Sequence, residues 1–203
     1  KAKDRQFLVR ADKQTHQEFY HFLEILWELG ASNMDARTLT IDNINWDGSA
    51  EAPHGHIVFK RQKWSKENGK DRLRQAIYWP ISKTLKSVIQ PLYVRALKRK
   101  EGQQFLLPNL AKMQSCNVGS IFKAYAKRAG VKLERKGEDG VTRQIVIHSY
   151  RYAMAERLYL AGYTEREAQM LMGHNSKEVH WAYAKHARMQ VKPLDMMERD
   201  NTT

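Results

Sequence analysis

The last third of the chain carries residue types that could act together on a phosphodiester. His148-Ser149-Tyr150-Arg151 is followed by Leu171-Met172-Gly173-His174, and Tyr183 comes nine residues after that histidine. Breaking such a bond without a metal needs an in-line nucleophile and donors on the two non-bridging oxygens. It also needs an acid for the departing oxygen. A phenol, two imidazoles, a guanidinium and a lysine ammonium can supply all of these. Arginine suits the oxygens because its planar fork donates two parallel hydrogen bonds. Singly, each residue has a blander role: Tyr183 lies between Ala182 and Ala184 like a packed tyrosine, and lone histidines are most often structural. Their joint spacing favours chemistry.

The elements that must position these groups follow from periodicity. His148 and Arg151, three apart on a helix expected over 148–161, leave one face of it. His174 follows a glycine stop and precedes Ser176, a good N-cap, so it falls at a corner between helices 164–172 and 176–184. Tyr183 lies two turns into the second of these. Upstream, Phe19, Phe22, Leu23, Ile25, Leu26 and Leu29 give a helix over 15–30 that Gly30 closes. Residues 32–37 are short and polar. Residues 39–46 alternate like a half-buried strand, and strands are expected over 57–64 and 74–80, joined by a turn at Asn68-Gly69. Further helices are expected over 82–90, 92–98 and 117–129, with a loop over 135–142. The fold class is mainly α with a small three-stranded antiparallel sheet (α+β).

Composition narrows the partner. Thirty-five Lys and Arg against 22 Asp and Glu leave a formal charge of +13. Such an excess favours a polyanion, because a basic face concentrates phosphates and releases their counterions. The alternative is a merely solvated basic surface. Cys116 is the one cysteine, which excludes an intrachain disulfide and a cysteine-based zinc site and suits a reducing cytoplasm. No run reaches the length of a membrane span. His174, His180 and His186 recur every six residues, which is not a helical repeat, and no cysteine or carboxylate joins them, so no metal is expected. The chain is expected to be one domain, with a lead-in over 1–14, a core over 15–184 and a tail over 185–203. In that tail Leu194, Met196 and Met197 could pack on the chain's own core or on a neighbour. Lys1 in place of an initiator Met is expected of an excised fragment.

The motif His-x-x-Arg, then Leu-x-Gly-His, then Tyr nine residues later resembles that of the tyrosine recombinases, the phage-integrase family. The resemblance covers roughly 30–183 and implies their DNA breaking-and-rejoining catalytic fold, which type IB topoisomerases share. It implies a site-specific DNA recombinase that joins Tyr183 to the 3′-phosphate of a cut strand and releases a 5′-hydroxyl. In that scheme Arg151 is the second of two phosphate-binding arginines. His148 is the acid/base or phosphate-orienting group, and His174 occupies the later His/Trp position. Lys63, at the end of the first hairpin strand, falls where the family's general acid to the leaving 5′-oxygen belongs; Lys66 and Lys70 are alternatives. The family also implies a partner, double-stranded DNA, and assembly as a tetramer on two sites, an isolated domain being monomeric. A DNA-clamping domain usually precedes this one in the family.

One position departs from the family. Gly30-Ala31-Ser32-Asn33-Met34-Asp35 places Ser32 where the first arginine is expected. Arg37 is a poor stand-in, since five residues turn a helix through about 140°. A lost phosphate clamp costs about 3 kcal/mol of transition-state stabilisation. Three explanations remain open: another cation such as Arg72 or Arg74 substitutes, the chain binds DNA but cleaves poorly, or Ser32 is an introduced change. The alternatives to a recombinase are therefore a DNA-binding relative with weakened catalysis and a topoisomerase-like enzyme. The resemblance also puts helix 117–129 in the major groove, with Asn117, Ser120 and Lys123 facing DNA. Lys60, Arg61 and Arg143 are the expected phosphate contacts.

Overall fold

A computed structural model of the chain describes residues 13–60, 76–102, 104–137, 140–174 and 178. Helix α1 (Lys13–Leu29) forms its centre. Phe19, Phe22, Ile25, Leu26 and Leu29 recur at helical spacing and are all buried. This helix packs against α2 (Asn33–Arg37), α3 (Lys83–Leu97), α4 (Pro108–Ala111) and α6 (Ser149–Leu160). Gly30 ends it as expected: its φ is 54°, and its N–H donates to Leu26 O at 2.9 Å.

The antiparallel sheet has the order β1 (Ile44–Asn45), β2 (His56–Phe59), β3 (Ile77–Pro80). Ile57 faces Trp79 and Phe59 faces Ile77, and all of these are buried. The first strand is much shorter than its alternation implies. Leu39, Thr40 and Ile41 pair instead with the segment 104–106, through Leu106 N–H to Leu39 O and Ile41 N–H to Gln104 O. Residues Ile41–Asn43 then wind into a 3-10 turn, because the Asn43 amide accepts from Thr40 N–H and donates to Val58 O. The remainder of the expected hairpin, with its Asn68-Gly69 turn, lies outside the described residues.

Two further expectations are corrected. Helix α3 runs unbroken through Pro91, where two helices were expected. Burial of Leu85, Val88, Ile89, Leu92 and Ala96 along one side outweighs the N–H that proline lacks. The expected loop over 135–142 is a second hairpin, β4 (Glu134–Lys136) with β5 (Thr142–Gln144). Both its strands are fully exposed, so no apolar alternation marked them. Helix α5 (Ser115–Arg128) and α7 (Glu165–Met172) lie close to their expected spans. Along α7, Met172 is fully buried and Met170 is exposed.

The short α4 is held at both ends by buried charge. Glu18 accepts from Asn109 N–H and Leu110 N–H at its start. Arg37 donates to Leu110 O at 2.7 Å, to Ala111 O and to Met113 O at its finish. This is the polarity that a helix dipole favours. Burial raises the Glu18 carboxyl above its ordinary range and lowers the Arg37 guanidinium from its own.

Gly30 is constrained twice, since a Cβ there would stand 2.5 Å from Met154 Cβ and Cγ in addition to the left-handed φ. Gly30→Ala is expected to cost about 2 kcal/mol or more, combining backbone and overpacking penalties. Thermal unfolding should then fall by roughly 4 °C or more; an unchanged midpoint would show that the contact with Met154 yields freely.

Candidate active site

Arg151 lies in the first turn of α6 and is 2% exposed. Its Nη1 donates to Gly30 O at 2.8 Å, and its Nη2 donates to Met172 O. Both acceptors belong to other motifs. Gly30 precedes the Ser32 segment, and Met172 is the last residue of α7, directly before Gly173-His174. One guanidinium therefore joins three segments that are far apart in sequence. A buried cation needs such acceptors, because an uncompensated one costs several kcal/mol.

The corner carrying His174 is built locally. Thr164 and Glu167 form a capping box that starts α7, and Gly173 ends it at φ 59°, ψ 40°. The chain turns there, His174 N–H donates to Gln169 O at 3.0 Å, and the residue is 7% exposed. His148 differs from expectation. It is the N-cap of α6 rather than part of the helix, and it is exposed where Arg151 is buried. Its ring stands edge-on to Tyr152 at 5.4 Å.

Beside His148 lies a cavity of about 260 Å³, walled by Asn33 from α2, by Ser115, Gly119, Phe122 and Lys123 from α5, and by Val146 and Ile147. Asn33 has a buried Oδ1 with no hydrogen-bond donor. Neither Asn33 nor Gly119 stood out in the sequence. The signal for Asn33 was its place next to the departing Ser32.

Ser32 itself has a local reason to be serine. It N-caps α2, its Oγ accepting from Asp35 N–H at 3.2 Å and donating to Asp35 Oδ2 at 2.7 Å. Ser-x-x-Asp is a capping pattern legible in sequence. Arg37 is committed to the carbonyls around α4. Asn117, Ser120 and Lys123 all lie on the exposed side of α5, opposite buried Val118, Ile121, Phe122 and Ala126. Lys60 is exposed just beyond β2. Arg143 is exposed on β5 and pairs across the ladder with Arg135. Tyr183, Lys63, Arg61, Lys66, Lys70, Arg72 and Arg74 lie outside the described residues, as do His180, His186 and the expected tail.

A model of the phage integrase family matches residues 3–190. No curated protein sequence matches the chain. Among solved structures, it is similar to the Tn1549 transposon integrase in complex with a circular intermediate DNA, at 18% identity and a TM-score of 0.56. That match covers 100% of this chain and 64% of the other. It is also similar to the XerH site-specific recombinase bound to palindromic difH substrate (13%, TM-score 0.60, covering 94% and 47%). A lambda integrase dimer bound to a core site matches at 16% and 0.57, covering 90% and 57%. The chain thus spans less than two thirds of each of these relatives. The likeness establishes the catalytic-domain fold of the tyrosine recombinases.

Replacing Arg151 tests the three-way junction. Lysine keeps the charge but cannot reproduce the fork, so Arg151→Lys should leave a buried carbonyl without its donor, at about 1–3 kcal/mol. Urea unfolding should show a lower midpoint at unchanged slope. A midpoint equal to that of the parent chain would mean the two carbonyls are satisfied some other way.

Proposed function

The chain belongs to the phage integrase family, and from that premise we propose that it cleaves and rejoins double-stranded DNA through a 3′-phosphotyrosyl intermediate. The observation that carries the reading is the Arg151 guanidinium, hydrogen-bonded to Gly30 O and Met172 O. It ties the end of α1, just before the Ser32 segment, and the end of α7, just before the Gly-His corner, to the His-x-x-Arg helix.

The chemistry then follows the donors. The Tyr183 oxygen bonds to phosphorus in line with the 5′-oxygen, and its phenolic proton passes to His148. Arg151, keeping Gly30 O and Met172 O on two of its five N–H groups, and His174 donate to the non-bridging oxygens as charge develops on them. The P–O5′ bond breaks, and Lys63 gives its proton to the departing oxygen. A 5′-hydroxyl from a second strand reverses these transfers. The phosphotyrosyl link conserves the bond, so no nucleotide cofactor enters. The exposed Asn117 and Ser120 face the major groove, while Lys60, Arg61 and Arg143 hold phosphates. A tetramer on two DNA sites, in the cytoplasm of a bacterium or a phage-infected cell, is the assembly this chemistry needs for exchange.

A pool of random-sequence duplexes, each nicked so that the short cleaved end diffuses away, tests the reading. Denaturing gels should show a covalent protein–DNA adduct that Tyr183→Phe abolishes. Salt-sensitive binding without any adduct would instead identify a DNA-binding relative, the reading favoured by an uncharged, cap-forming Ser32.

A further inference from the structure

We infer that Lys123, with Asn33 beside it, is the phosphate clamp that fills the role of the missing arginine at position 32; this rests on the DNA-cleaving reading and assigns one more residue to it. Ser32 brings no charge, and its hydroxyl is tied to Asp35. Arg37 would have to abandon Leu110 O, Ala111 O and Met113 O to reach a phosphate. Leaving those acceptors unmet is costly. Lys123 is differently placed. It opens onto the cavity shared by His148 and Asn33, the residue directly after Ser32. Among the described residues that line this cavity, it carries the permanent positive charge.

Two observations indicate that the cavity is built to be filled. Asn33 Oδ1 is buried without a donor, a state that ordinarily costs about 1–3 kcal/mol. The Lys123 ammonium has three donors on a flexible stem and can turn them to a phosphate in the cavity. Gly119 sits one turn before Lys123 on the same wall, inside α5, where glycine costs about 1 kcal/mol against alanine. Packing does not demand it, since nothing stands within 4 Å of where its Cβ would be. Its effect is to keep the wall open. A space of about 260 Å³ holds a phosphate group together with several waters at roughly 30 Å³ each.

Inorganic phosphate titrated into the chain, followed by the NMR shifts of the His148 ring protons, reads the clamp without DNA. Lys123→Ala should raise the phosphate Kd about tenfold or more, the loss of one charge-assisted contact. Lys123→Arg should retain binding, and Ser32→Arg added to Lys123→Ala should recover most of it. Gly119→Leu should abolish the shifts by filling the space. In the adduct assay, Lys123→Ala should slow cleavage roughly 100-fold with far less effect on DNA affinity, and Ser32→Arg should again rescue. Phosphate binding and cleavage both unchanged in Lys123→Ala would overturn the assignment. Adducts that survive Tyr183→Phe would overturn the cleavage reading instead, and the phosphate titration would still decide whether Lys123 binds the anion.

Discussion

A buried guanidinium is costly to place in a protein interior, and this fold is arranged so that Arg151 has carbonyl partners there. Two of its acceptors lie at helix ends: Gly30 O where α1 stops and Met172 O where α7 stops. Carbonyls at helix C-termini lack intrahelical partners and carry the negative end of the dipole. They are therefore the natural acceptors for a cation. Each helix also ends in a left-handed glycine, Gly30 or Gly173, that turns the chain sharply at the point of contact. The conformations that stop these helices and the charge that joins them are parts of one arrangement. Without it, the Ser32 segment and the His174 corner would have no shared reference point.

The same device recurs at α4. Glu18 takes the N–H groups at one end of that turn, and Arg37 takes the carbonyls at the other. A helix this short would not hold alone, because nucleation is unfavourable. Arg37 of α2 and Arg151 of α6 thus divide the work. Arg37 fixes scaffold, whereas Arg151 fixes the junction at which the motifs meet. A position-32 arginine would have been a third cation in the same neighbourhood, and Ser32 leaves that place uncharged while capping α2.

Much of this was legible in the sequence because the signals were periodic or rested on glycine. The stripe from Phe19 to Leu29, the stops at Gly30 and Gly173 and a small three-stranded antiparallel sheet all follow from local rules. What stayed hidden depended on distant partners. Residues 39–41 alternate correctly but pair with 104–106, which no local pattern reveals. Strands β4 and β5 are polar on both faces, so alternation was silent. Pro91 read as a break because the burial that carries α3 across it is tertiary. In the site, the types and spacing of His148, Arg151 and His174 were visible. That Arg151 is buried while His148 is exposed was not, since it depends on α1 and α7 packing over one and not the other. Asn33 and Gly119 acquire meaning only once the cavity brings α2 and α5 together.

Amide hydrogen exchange in Arg151→Lys measures the three-way junction most directly. If one guanidinium couples the segments, protection should fall together around 30–37 and 172–174, while β2 and β3 exchange as in the parent chain. Loss confined to one of the two segments, or a uniform loss across the sheet as well, would contradict a junction held at Arg151.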